Sequence, residues 1–222
     1  MSALQLLIAN KNYSSWSLRG WLVVKHSGLP FQERSFDLGD PAFKAQIAPF
    51  SPTGRVPVLL TAEGTVWDSL AIAEFLAESV PELWPIEPFA RAQARSISAE
   101  MHSGFMSLRQ AMPMNLRAEG RQVAMNPVLA ADIERIVAIW CECRERYQDA
   151  GPWLFGQWCI ADAMYAPVAS RFRTYGVPLP EVAQEYVTTV FADPALQEWL
   201  LAARSEGELA RSEVGLSPRG NI

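Results

Sequence analysis

The stretch Gly54-Arg55-Val56-Pro57-Val58-Leu59-Leu60, then Ala62-Glu63-Gly64, then Thr65-Val66-Trp67-Asp68-Ser69-Leu70-Ala71, decides how the rest of the chain is read. Two short runs of β-branched and apolar residues flank a turn that contains glycine, the pattern of a β-hairpin. Pro57 stands at the start of the first run, a position where a residue that cannot donate to a sheet ladder is tolerated. The sharp strand entrance predicts a cis Val56–Pro57 bond. Asp68 and Ser69 open an apolar helix predicted over Leu70 to Ala77. The free N–H groups of a helix start attract a carboxylate, and the Asp68 carboxylate beside them attracts an ammonium group. Adjacent anion and cation sites suit the α-amino-acid end of a small ligand.

Upstream, Leu4 to Ala9 is an apolar run short enough for a buried strand. Asn10 to Tyr13 is a polar loop. Ser14-Ser15 then precedes Trp16, Leu18, Trp21, Leu22 and Val24, a helical pattern with a serine N-cap and a stop at Gly28 and Pro30. Phe31 to Leu38 reads as a second strand, partly exposed at an edge because it carries Glu33, Arg34 and Asp37. Asp40-Pro41 is expected to cap a short helix over Ala42 to Ala48. The order βαβ, short helix, ββα predicts a mixed four-stranded sheet of thioredoxin-like type.

Three prolines between Pro81 and Pro88 preclude a continuous helix there. We therefore divide the chain into an N-terminal α/β domain over 1–80, a linker over 81–88 and an all-helical domain over 89–222. In the latter, Ile97, Met101, Phe105, Leu108 and Met112 predict one long helix stopped near Pro113. Asn126-Pro127 starts another that runs towards Gly151. Ile160 to Phe172 marks a third, with a bend expected at Pro167. Two shorter helices are expected over Glu181 to Phe191 and Pro194 to Ala203, and Ser205 to Ile222 reads as a loose polar tail.

Half of the 222 residues are hydrophobic and 19% charged, enough apolar material for a core. With a formal net charge of -5 and no basic tract, nucleic acid is not an expected partner. No apolar run reaches the ~18 residues of a membrane span, and no export signal is apparent. Three cysteines without a CxxC or a disulfide framework favour a reducing, cytoplasmic compartment. Only His26 and His102 are present. Without a GxSxG elbow, an HExxH or a Cys/His cluster, neither a Ser-His-Asp hydrolase nor a metal site is expected. His26 reads as partly buried scaffold.

Arg55-Val56-Pro57-Val58-Leu59 followed by Asp68-Ser69-Leu70-Ala71-Ile72-Ala73-Glu74-Phe75-Leu76 resembles the glutathione-binding half of soluble glutathione S-transferases. Gly151 to Pro167, with its Ala161-Asp162 pair, extends the resemblance to the helical half. In the family a Ser or Thr cap stands where this chain has Cys159. A thiol is a poor acceptor, so the capping box is expected to be weakened there, although Asp162 can still bond the Cys159 N–H. The resemblance implies a cis proline at Pro57. It also implies cysteinyl contacts to the backbone at Val56, a γ-glutamyl clamp at Asp68 and Ser69, and a homodimer. Arg55 either reaches the glycine end of glutathione or covers the domain edge.

The family's catalytic residue lies just after the first strand. Tyr13-Ser14-Ser15-Trp16 is similar to serine-type members, distantly the zeta class. Trp16 stands where zeta members carry cysteine, which weakens the case for their isomerase chemistry. Ser14 matches the catalytic position best, Ser15 is second and is otherwise a helix cap, and Tyr13 is a lesser rival. The task is to hold glutathione, a cosubstrate, as a thiolate. A free thiol of pKa near 8.5 is only roughly 3% ionised at pH 7. Lowering that by ~2 units needs about 2.7 kcal/mol. One hydroxyl hydrogen bond to a charged sulfur contributes roughly 1.5–3 kcal/mol, and the helix start adds up to ~1 kcal/mol.

The second substrate, a small apolar electrophile, is expected between the domains. His102, Phe105, Met106 and Arg109 share a helical face at spacings of three and four and are the candidates to line its pocket. Phe105 and Met106 as core, with Arg109 as a surface or dimer contact, is the competing reading. Two further functions stay open: a zeta-type glutathione-dependent isomerase, and a non-catalytic transferase-like binding protein.

Overall fold

The computed structural model describes residues 4–207. Strand β1 (Leu4–Ala9) leads into α1 (Ser15–His26), β2 (Phe31–Phe36) and α2 (Phe43–Ile47), then the hairpin β3 (Val58–Leu60) and β4 (Thr65–Trp67), and α3 (Ser69–Ser79). The sheet order is β2-β1-β3-β4, with β1 parallel to β2 and antiparallel to β3. This is the mixed, thioredoxin-like sheet expected from the sequence. Leu6 and Ile8 of β1 pack with α1 and α3, while Leu7 faces Phe36, Ile47 and Val58 on the opposite side. Burial on both faces explains the unbroken apolar run of β1. β2 lies at an edge and exposes Gln32 to Ser35, as its charges predicted; it ends at Phe36, two residues earlier than expected.

Two local expectations differ from the structure. Asp40 is not the cap of α2: its carboxylate accepts from the Ala42 N–H at 2.8 Å, and α2 starts only at Phe43, after an Ala42 that caps nothing with its side chain. The expected long helix is broken. α4 (Pro88–Ser103) ends at Gly104, and α5 (Met106–Ala111) restarts after Phe105, which is in the left-handed conformation at φ 57°. A Cβ on Gly104 would lie 2.8 Å from the Glu100 carbonyl oxygen, so the break needs glycine there. The Arg109 guanidinium donates to the carbonyls of Met101 and His102, satisfying the open end of α4.

α6 (Pro127–Tyr147), α7 (Ile160–Thr174), α8 (Glu181–Ala192) and α9 (Pro194–Ser205) complete the helical part. α7 continues through Pro167, is almost wholly buried, and packs against both α1 and α4. Its start is held by Asp162, fully enclosed, which accepts from the N–H of Cys159 (2.9 Å), the N–H of Leu154 (3.2 Å) and the Tyr186 hydroxyl (3.0 Å). Burial pushes the Asp162 carboxyl up to about 6 against the pull of these donors. His26 stacks on Trp158 with ring centroids 3.6 Å apart and contacts Asp193 at 3.0 Å, a scaffold role as expected. Most of the expected loose tail, 208–222, lies outside the described residues. Glu206 within it is engaged: its carboxylate accepts from the N–H groups of Lys11 and Asn12.

Candidate active site

The loop after β1 fixes the start of α1. Asn12 is fully buried; its side-chain N–H donates to Asn115 at 2.9 Å, and its side-chain oxygen accepts from the Arg117 N–H at 3.0 Å. Glu206 holds the loop's N–H groups, and the Trp199 indole donates to the Lys11 carbonyl at 2.9 Å. Three distant segments thus clamp Lys11 and Asn12. The sequence shows Asn10 to Tyr13 only as polar, because every one of these partners is about a hundred residues or more away.

Ser14 is the N-cap of α1 and nearly buried. Its oxygen accepts from the Ser17 N–H at 3.3 Å, and its hydroxyl donates to Ser17 Oγ at 2.8 Å. Ser17 Oγ in turn accepts from the Ala9 N–H at 3.0 Å. Ser15 is half-buried at the first turn. The Tyr13 hydroxyl accepts from Arg117 at 3.2 Å, which ties its lone pairs to a cation.

Across the cavity, the Val56–Pro57 bond is cis. Gly20 of α1 faces Pro57 so closely that a Cβ there would sit 2.9 Å from the proline Cγ. After β4, Asp68 at φ 76° caps α3. Its Oδ1 accepts from the N–H groups of Leu70 (2.8 Å) and Ala71 (3.3 Å). Those two N–H groups were expected to be open to a ligand carboxylate; Asp68 itself occupies them. Its Oδ2 lies 3.1 Å from His102 Nε2 on α4. Desolvation works against the Asp68 carboxylate, but the bonds from His102, Leu70 and Ala71 outweigh it and hold the carboxyl below its ordinary range. Ser69 Oγ is buried and has no partner among the described residues.

Tyr13, Ser14, Ser15, Trp16, Thr53, Gly54, Arg55, Val56, Pro57, Trp67, Asp68, Ser69 and His102 line one cavity of about 690 Å³ with Leu38 and Phe43. The structure therefore brings the serine pair, the Val56-Pro57 turn and the Asp68-Ser69 pair together. Arg55 is exposed at the rim. Of the four residues expected on one helical face, only His102 lines the cavity. Phe105 is buried in the core, Met106 points outward at 55% exposure, and Arg109 stacks on Trp16 at 4.7 Å. The helix break rotates them apart. Among the described residues no group of three or more His, Cys, Asp or Glu is placed to hold a metal ion, and no helix is long and apolar enough to cross a membrane.

A family model described as glutathione S-transferase, N-terminal domain, matches residues 13–79, and one described as glutathione S-transferase, C-terminal domain, matches residues 87–204. A probable maleylacetoacetate isomerase of Caenorhabditis elegans is 32% identical over 96 residues, 42% of this chain and 44% of that protein. A GST-like protein of Escherichia coli (strain K12) is 40% identical over 81 residues, 33% of this chain and 40% of that protein. These alignments span less than half of either relative. The crystal structure of a glutathione transferase homologue from Burkholderia gl BGR1 with bound glutathione superposes with a TM-score of 0.71 at 27% identity, covering 92% of this chain and all of that one. A Tau class glutathione S-transferase from mango superposes equally well, TM-score 0.71, at 17% identity over 97% and 99% of the two chains, a likeness of fold alone.

Proposed function

The chain belongs to the glutathione S-transferase family, and on that premise we propose that it binds glutathione in the 690 Å³ cavity and activates it as a thiolate for attack on an electrophile. One observation carries this reading: two serines at the start of α1 and an Asp-Ser pair at the start of α3 share that cavity. The γ-glutamyl ammonium is received by Asp68 Oδ2, and the adjoining carboxylate by the unpartnered Ser69 hydroxyl. The cysteinyl backbone lies along Val56, Arg55 reaches towards the glycine end, and the sulfur sits at the serines.

Ser14 donates the hydrogen bond that holds the thiolate. For this its bond with Ser17 reverses, so that Ser17 donates to Ser14, Ser14 donates to sulfur, and the Ala9 N–H still supports Ser17. Such a chain polarises each member in the same direction. The thiol proton leaves to solvent, the sulfur lone pair forms a C–S bond, and the electrophile's leaving group or π-electron pair takes the charge. Ser15 is the second reading, because its half-buried hydroxyl faces the same cavity and needs no such reversal. An isomerase using glutathione catalytically is favoured by the match to the C. elegans protein and disfavoured by Trp16.

We place the protein in the cytoplasm as a symmetric dimer. Phe75, Ile86 and Phe89, on α3, the connecting segment and α4, are large apolar side chains exposed at 38%, 83% and 55%. The 1–80, 81–88 and 89–222 division is our domain reading. The test of the function is retention on immobilised glutathione followed by turnover of an electrophile panel with glutathione. Retention with turnover is expected; retention without turnover favours a binding protein, and no retention refutes the reading.

A further inference from the structure

Each polar atom of the enclosed Asn12 is bonded to a residue of the helical part. Its N–H donates to Glu206 Oε2 at 3.0 Å, and its carbonyl accepts from the Leu116 N–H at 3.2 Å. Its side chain donates to Asn115 and accepts from the Arg117 N–H. Glu206 stands just past the end of α9 and also takes the preceding N–H: its Oε1 accepts from Lys11 at 2.6 Å. Two successive backbone N–H groups thus cup one carboxylate, each through a charge-assisted bond. The Glu206 carbonyl accepts from Arg117 Nη1 at 2.6 Å, and Arg117 Nη2 donates to the Tyr13 hydroxyl at 3.2 Å. Glu206 is therefore held in place by the same arginine that holds Tyr13.

This clasp closes on the turn that delivers Ser14. Within the turn the Asn10 carbonyl accepts from the N–H groups of Tyr13 (3.1 Å) and Ser14 (2.9 Å), and the Asn10 side chain accepts from the Leu38 N–H at 2.7 Å. Asn10 holds the turn from inside and Glu206 from outside, so a shift of Lys11 or Asn12 is passed to the Ser14 backbone two residues on. Glu206 is not among the residues that line the cavity, and it can reach the chemistry only through this turn. We propose that Glu206 is a positioning residue for thiol activation: its hold on the Lys11 and Asn12 N–H groups aims the serine hydroxyl at the start of α1 towards the sulfur. Hydrogen bonds weaken steeply with misalignment, and small misplacements set from a distance are costly to catalysis. The inference rests on the glutathione transferase reading and deepens it at its sulfur end.

The sign of one measurement separates positioning from a direct effect of charge. A carboxylate acting through its charge raises a neighbouring thiol's pKa, so its removal would lower that pKa; removal of a positioning group raises it. The test is the ultraviolet thiolate absorbance of the glutathione complex against pH, with calorimetric binding of glutathione, for wild type, Glu206→Gln and Glu206→Ala. Glu206→Ala should raise the bound thiol's pKa by about half to one unit, part of what one serine bond supplies. Its Kd for glutathione should stay within roughly fivefold of wild type, because the clamp proposed at Asp68 and Ser69 is separate from the sulfur. Glu206→Gln keeps one oxygen for one of the two N–H groups, and its pKa should rise no further than that of Glu206→Ala. An unchanged thiol pKa in Glu206→Ala with glutathione bound would overturn the proposal, even if the variant unfolded more easily, since the clasp would then serve the fold alone. A lowered pKa in both variants would overturn it too, as would a rise accompanied by a larger loss of affinity, because the turn would then have come apart rather than shifted. In each of these cases a wild type that binds glutathione with a depressed thiol pKa leaves the transferase reading standing. A wild type that fails to bind glutathione, or binds it with the free thiol's pKa, would overturn that reading and this inference together.

Discussion

Asp68 performs two tasks that a pair of substitutions separates. One carboxylate oxygen caps α3 through Leu70 and Ala71, and the other faces His102 and the place proposed for the ligand's ammonium group. Asparagine is as good a cap as aspartate and tolerates the left-handed backbone at φ 76°, so Asp68→Asn keeps the first task and removes the charge. Its folding stability should change by less than about 0.5 kcal/mol. Asp68→Ala loses a cap worth about 0.5–2 kcal/mol and places alanine in a conformation costing roughly 1–2 kcal/mol, so it should be clearly destabilised. Both should weaken glutathione binding. A charge-assisted bond contributes roughly 1.5–3 kcal/mol. With its side chain 42% exposed, Asp68 belongs in the lower half of that range, about ten- to thirtyfold in Kd. His102 competes for the same oxygen, so His102→Ala should strengthen binding by up to roughly fivefold, the limit for a partly exposed ion pair. The assays are denaturant unfolding and calorimetry at pH 7. Unchanged affinity in a folded Asp68→Asn protein would refute the ammonium assignment, whatever happened to stability.

Gly20→Ala should destabilise the fold by about 1–3 kcal/mol and weaken glutathione binding, because the new methyl group pushes α1 and Pro57 apart; a neutral effect in both assays contradicts that packing. Asp162 binds a proton in the folded state between its unfolded value near 3.8 and about 6, so its contribution to stability falls as pH rises through that window. The advantage of wild type over Asp162→Asn in chemical unfolding should accordingly shrink from pH 4.5 to 6.5, and a widening gap would reverse the sign. Sedimentation at micromolar concentration should give a particle of twice the 24.7 kDa chain mass; a monomer alone refutes the proposed dimer.

The hairpin, the serine-capped first helix and the sheet order were legible because each rests on local chemistry. Alternating strand residues around Gly64, a cap ahead of an apolar stripe and prolines between helices are all readable within a dozen residues. The break at Gly104 was not, because Met101, Phe105 and Leu108 keep their helical spacing across it, and all three are buried despite the interruption. That hidden break displaced Met106 and Arg109 from the face on which they were expected. The Asp68–His102 contact joins residues 34 positions apart, and Glu206 reaches Asn12 across 194. No periodicity encodes such pairings. The burial of Arg19 was not legible because, at the level of sequence, an arginine in an amphipathic helix reads as solvated, whereas here α7 covers that helix.

The central claim is that a serine hydroxyl at the start of α1 holds glutathione as a thiolate. It is tested most directly by the ultraviolet thiolate absorbance of the binary complex against pH, for wild type, Ser14→Ala, Ser15→Ala and Ser17→Ala. Losing a bond of about 1.5–3 kcal/mol should raise the bound thiol's pKa by roughly one to two units in Ser14→Ala. Ser17→Ala should produce a smaller rise, since it removes the group that supports Ser14. Affinity for glutathione should change little, because the clamp proposed at Asp68 and Ser69 is separate from the sulfur. A rise confined to Ser15→Ala moves the role one residue along. A bound glutathione whose thiol pKa is the same in all four proteins would contradict the account.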